Sequence, residues 1–163
     1  MKIFSILIFS IVTLLICQCK SKKDHSHFPP DFAFQYKTNV YTYDSRTQLY
    51  TRLYLDSIAS LRVSLTEKEL QSIFGDFQEF ESMNFPEEFE CEKYNTFTDP
   101  HTTTFIEVSY NKKSRRSRNT SACNYKTQQT NSDNFDRLAG KISKILNSKK
   151  EIKNMPESDF VTM

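Results

Sequence analysis

The chain predicts an α+β fold, an antiparallel sheet of about five strands in the order βββαββα with two helices packed on one face. Three observations carry this. From Phe32 to Leu65, apolar and aromatic residues alternate with polar ones, the period of strands that bury one face. Thr66-Glu67-Lys68-Glu69 opens a segment of helical spacing, and a second such segment begins near Asp133. Between the two, Thr104, Ile106, Val108 and Tyr110 return to alternation.

In chain order, Phe32, Phe34, Tyr36, Thr38 and Val40 share one parity and Tyr41 and Tyr43 close the run, which reads as one long strand. Asp44-Ser45-Arg46-Thr47 has turn composition. The next strand, Gln48 to Leu55, sets Leu49, Thr51, Leu53 and Leu55 on one face and Tyr50, Arg52 and Tyr54 on the other. A break at Asp56 to Ser60 precedes a short strand with Leu61, Val63 and Leu65. Thr66 as N-cap and Glu69 at N3 form a capping box, flanked by the staple residues Leu65 and Leu70. The helix they start carries an apolar stripe of Leu70, Ile73, Phe74, Phe77 and Phe80. Gly75 weakens it by up to ~1 kcal/mol, and Phe85-Pro86 is the expected stop. An irregular acidic segment to about Pro100 leads into a strand from Thr102 to Tyr110, a turn at Asn111-Lys112-Lys113 and a polar strand from Ser114 to Cys123. The last helix, from about Asp133, sets Phe135, Leu138, Ala139, Ile142, Ile145 and Leu146 on one face, with Lys149 and Lys150 near the end where the helix dipole favours cations.

Ahead of this domain, Met1 and Lys2 lead into a 14-residue apolar run, Ile3 to Ile16, short of the ~20 residues that span a bilayer. The run ends at Leu14-Leu15-Ile16-Cys17-Gln18-Cys19 with no Ala-x-Ala cleavage pattern. This resembles a bacterial lipoprotein signal, in which an aliphatic residue stands three places before a cysteine that is cleaved and acylated. The resemblance implies Cys19 as the lipidated residue, with Ile16 in the aliphatic place and the polar Lys20 to Asp24 starting a tether. Cys17, with Leu14 in that place, is the alternative. Gln18 departs from the small residue the family prefers before the acceptor. The predicted organisation is a signal peptide over 1–18, a lipidated tether over 19–30, one α+β domain over 31–155 and a C-terminal tail over 156–163. Cleavage before Cys19 leaves 163 − 18 = 145 residues and, with Lys2 lost, lowers the net charge from +2 to +1. The layout resembles small lipoproteins of Bacteroidetes-like bacteria, a resemblance that implies an address without an activity. That address is the cell envelope, with attachment to the membrane through acyl chains such as palmitate. Lys20, Lys22 and Lys23 depart from the acidic residues that follow the cysteine in surface-bound lipoproteins, which points to the outer membrane facing the periplasm.

The composition excludes much chemistry. Gly75 and Gly140 are the chain's two glycines, both inside predicted helices, so no Gly-rich phosphate loop or dinucleotide fingerprint is possible and no cofactor is expected. His101, on a loop after Asp99-Pro100, has no local nucleophile partner. Asp24-His25-Ser26-His27 offers two imidazoles where a metal takes three or four ligands, so it reads as solvated tether and no metal is expected. Near-neutral charge and export exclude nucleic acid as a partner.

Cys91 and Cys123 form an even pair in an oxidising compartment and read as a disulfide, with two separate buried thiols as the alternative. The bridge would close 123 − 91 = 32 residues, a constraint of roughly 3 to 4 kcal/mol in the loop-entropy model.

Lys112, Lys113, Arg115, Arg116 and Arg118 gather around one hairpin, while Glu79, Glu81, Glu87, Glu88, Glu90 and Glu92 cluster around the end of the first helix. The basic group suits lipid head groups, an anionic glycan or an acidic protein. It also suits a solvated hairpin that repels other strand edges, neutralised by the acidic group. Asp56-Ser57-Ile58 is similar to a short O-glycosylation motif of Bacteroidetes exported proteins, which implies Ser57 as a glycan site. The sequence thus predicts a non-enzymatic, lipid-anchored binding or accessory protein. A periplasmic immunity or inhibitor protein and a carboxylate-dependent hydrolase are the alternatives.

Overall fold

The computed structural model describes residues 27–91, 93–94, 102–120, 123–124 and 127–160. Among them run β1 Ala33–Lys37, β2 Tyr41–Asp44, β3 Leu49–Leu53, β4 Ile58–Arg62, α1 Glu67–Glu79, β5 Lys93–Tyr94, β6 Thr103–Tyr110, β7 Lys113–Thr120, β8 Cys123–Asn124, α2 Gln129–Ser148 and α3 Lys150–Lys153. Six strands form one antiparallel sheet in the order β4-β3-β2-β1-β6-β7, and β5 pairs with β8 in a separate ribbon. The α+β class and the helices on one face agree with the sequence reading. The strand count and the order βββαββα do not.

The difference begins at Thr38, where the expected long strand folds into the β1–β2 hairpin. The Thr38 hydroxyl accepts bonds from the amides of Val40 and Tyr41, both at 3.2 Å, and the Thr38 amide donates to the Tyr41 carbonyl at 2.8 Å. A threonine side chain thus closes a turn without glycine or proline. Farther on, β4 starts at Ile58, inside the expected break, because Leu53 pairs with Ile58 across a tight turn in which the Tyr54 amide bonds the Ser57 carbonyl at 2.9 Å.

Cross-strand register selects the buried face. Tyr36, Tyr43, Tyr50 and Leu61 are consecutive partners across four strands, and Tyr36 also pairs with Ile106. Tyr50 is 0 % exposed and its neighbour Leu49 41 %, so in β3 the aromatic face is the core and the leucine face is open to solvent. Phe34, Phe77, Phe135, Leu138 and Ile142 complete the core between sheet and helices.

Both helices follow local chemistry. Thr66 caps α1, its hydroxyl accepting the Glu69 amide at 3.2 Å while Glu69 Oε2 accepts the Thr66 amide at 2.7 Å. The α1 stripe is buried at Ile73, Phe74, Phe77 and Phe80. The helix stops well before Phe85-Pro86. Phe80 is its C-cap, Glu81 turns left-handed at φ 50°, and the Ser82 hydroxyl takes the orphan Phe77 carbonyl at 2.9 Å. Phe85 and Phe89 turn inward instead, meeting Phe135 of α2 with ring centres 6.1 and 5.4 Å away. α2 begins four residues before Asp133, at Gln129, where Asn119 of β7 donates to Ser132 Oγ and Asp136 Oδ1, both at 3.0 Å. Residues 156–160 lie against β3, with Arg52 and Tyr54 donating to the Pro156 carbonyl at 2.6 and 3.0 Å and Asp159 accepting the Leu55 amide at 2.8 Å.

Lys149, between α2 and α3, places its ammonium 2.6 Å from Glu69 Oε2. Burial alone would raise the Glu69 pKa, but the bonds from Lys149 and from the Thr66 amide and hydroxyl outweigh it and hold the carboxyl below its ordinary value of 4.5. A depressed folded-state pKa contributes stability above the unfolded value that disappears as pH falls through the folded one. Glu69→Gln keeps an oxygen for the cap and loses the charge. Urea unfolding is expected to show it less stable than wild type by about 0.5–1 kcal/mol at pH 7, with the gap closing below pH 4.5; a gap independent of pH would contradict the ion pair's role.

Candidate functional site

The face of the sheet opposite the helices is built from the side chains that alternate with the core. Its first row reads Arg118, Phe105, Lys37, Thr42, Thr51 and Ser60 across all six strands. The hydroxyls of Thr51 and Ser60 bond at 2.8 Å. At the other end of the row, three cations converge on one ring. Lys37 Nζ, Arg116 Cζ and Arg118 Cζ lie 5.6, 5.6 and 5.9 Å from the Phe105 centroid. The negative face of an aromatic ring attracts cations by about 0.5–1 kcal/mol each at exposed sites, which offsets part of their mutual repulsion. Arg118 is also paired with Glu88. Lys37 and Arg116 make no ion pair among the described residues. The arrangement is a cationic, partly apolar platform edged by hydroxyls, suited to carboxylate or phosphate groups.

The structure sends the five hairpin cations to three places. Lys112 sits in the β6–β7 turn with Asn111, both at positive φ (60° and 50°), and Lys113 opens β7 beside them. Arg115 points to the helix side, where Nε donates to the Phe85 carbonyl at 2.5 Å. Arg116 and Arg118 reach the open face. Lys37 and Phe105 belong to the site and were not singled out from sequence, because only the pairing Lys37–Phe105–Arg118 brings them together.

The acidic segment does meet the basic hairpin. Glu88 forms a parallel bridge with Arg118, the Arg118 amide donates to the Glu87 carbonyl at 2.8 Å, and the Phe89 amide donates to the Arg118 carbonyl at 3.1 Å. This covers part of the sheet edge at β7. Ser57 is exposed in the β3–β4 turn between Leu55 and Ile58, each 68 % exposed. Cys17, Cys19, His25, Glu92 and His101 lie outside the described residues. Among the described residues, no three His, Cys, Asp or Glu side chains come together as metal ligands, and no helix is long and apolar enough to cross a membrane.

Cys91 is disulfide-bonded. Of the chain's four cysteines, Cys123 is the expected partner, because the β5–β8 ribbon sets Tyr94 directly opposite it, three residues beyond Cys91. Peptide mapping without reductant is expected to recover the Cys91 and Cys123 peptides as one linked species; a link from Cys91 to Cys17 or Cys19 would contradict the pairing. Replacing both Cys91 and Cys123 by Ala is expected to cost roughly 3 to 4 kcal/mol in urea unfolding.

No family model and no curated protein matches the chain.

Proposed function

We propose that this protein is a lipid-anchored, non-enzymatic binding protein of the bacterial cell envelope, held in the outer membrane facing the periplasm, that takes a partner bearing carboxylate or phosphate groups on its open sheet face. The lipid anchor rests on the likeness of residues 1–19 to a lipoprotein signal. The binding role rests on one observation, the convergence of Lys37, Arg116 and Arg118 on Phe105 on a face that no helix among the described residues covers. Lys37 and Arg116, which make no ion pair among the described residues, keep their charge available. The exposed Arg118–Glu88 pair contributes about 0–1 kcal/mol, so an incoming anion displaces Glu88 at little cost. The Thr42, Thr51 and Ser60 hydroxyls supply neutral hydrogen bonds beside the charged end.

A pull-down from solubilised envelope with wild type and with Lys37→Glu/Arg116→Glu tests the binding face. Wild type is expected to retain an acidic partner that is released as salt rises and that the double variant does not capture. The same partner set from both proteins would contradict the binding face. In parallel, Cys19→Ser is expected to leave an uncleaved, unacylated precursor by intact mass, whereas the same loss in Cys17→Ser alone would move the acceptor to Cys17.

A further inference from the structure

We propose that the end of the sheet bearing the β6–β7 turn docks on the anionic phospholipid surface into which the lipid anchor inserts, an inference that rests on the lipid-anchor reading above. Three observations join at this end. The first is where the tether meets the fold. Asp31 accepts the amides of Asn111 and Lys112 at 3.0 and 2.9 Å, fixing the incoming chain to the β6–β7 turn. Phe32 holds it there through Phe28, Phe74 and Phe77, with ring centres 5.8, 4.9 and 5.8 Å away. From Cys19 to His27 there are 27 − 19 = 8 residue steps, which span at most ~28 Å even when fully extended. A bilayer holding the acyl chains is therefore never far from this turn.

The second observation is charge. Lys112 and Lys113 are exposed at the turn, and Arg46 of the neighbouring β2–β3 turn shares a shallow groove with them. Asp31 is the groove's one acidic residue among those described, and both its oxygens are occupied by backbone amides. Those two amides, with the nearby Lys112 charge, lower its pKa, so it stays ionised without pairing to a lysine side chain.

The third is the turn's own chemistry. A two-residue hairpin turn with both central residues at positive φ favours Asn-Gly, and this one carries Lys112 at φ 60°. The strain of a left-handed lysine is accepted where glycine would fold more easily, and the result is a charge at the tip. Each Lys or Arg held near an anionic leaflet strengthens attachment about five-fold. With the turn down, strands stand away from the bilayer. Phe105, 110 − 105 = 5 residues up β6 from Tyr110, is then raised by about 17 Å, clear of the head groups and open to a partner.

The test uses the full lipidated chain with vesicles of phosphatidylethanolamine and phosphatidylglycerol, and with vesicles of phosphatidylcholine alone, reading sedimentation and amide hydrogen exchange together. Expected are sedimentation with both vesicles and slowed exchange at residues 45–48 and 111–114 with the anionic vesicles only. That protection should vanish in high salt, and in Lys112→Glu/Lys113→Glu, while sedimentation persists. Sedimentation with equal exchange on both vesicles overturns the docking and leaves the anchor standing. Sedimentation with neither overturns the anchor and the docking with it.

Discussion

Tyr36, Tyr43 and Tyr50 stand side by side across β1, β2 and β3, and the phase of that row decides which half of the sheet's side chains the helices cover. Each phenol satisfies two demands, a ring in the core and a hydroxyl with a partner. Tyr43 donates to the Val63 carbonyl at 3.0 Å, and Tyr50 accepts from the Arg52 guanidinium at 3.1 Å. Burial pushes the phenols of Tyr36 and Tyr43 well up, so they remain neutral donors under the helices. Because strand side chains alternate with period two, a slip of one residue would exchange the tyrosines for Lys37, Thr42 and Thr51. The polar face is thus a consequence of the same register.

How much of this was legible depends on whether the signal is local. The capping box of α1 is complete within four residues, and it appears as read. The α2 stripe is equally local. In contrast, the β1–β2 hairpin was present in the sequence and easy to misread. Phe34 and Tyr36 are even-numbered core positions, while Tyr41 and Tyr43 are odd, and a strand with one buried face changes parity only at a turn or a bulge. Thr38 makes that turn with its own hydroxyl, so no glycine or proline marks it. In β3 both faces carried large side chains, and leucine looked as good a core as tyrosine. Only the pairing with Tyr43 breaks the tie.

The candidate site lay further out of reach. Arg116 and Arg118 are visible as part of a basic run, but their aromatic centre, Phe105, and the third cation, Lys37, come from strands paired over 105 − 37 = 68 residues. Arg115, by contrast, looked equivalent to its neighbours and is turned to the helix side by alternation alone. The charge run is therefore three things: a tip at Lys112 and Lys113, a tie to Phe85 at Arg115, and a platform on the open face. The acidic segment is equally divided, with Glu88 joining the sheet edge while Phe85 and Phe89 enter the core. One hairpin thus places its cations in three different surroundings, the turn, the helix side and the open face.

The phase of the tyrosine row is tested most sharply in β3, where the neighbouring residues Leu49 and Tyr50 have opposite fates. Urea unfolding of Tyr50→Ala is expected to show a loss of about 3 kcal/mol or more, the cost of emptying an aromatic core position, whereas Leu49→Ala should stay within about 0.5 kcal/mol of wild type. A larger loss at Leu49 than at Tyr50 would put the leucine face in the core and contradict the account.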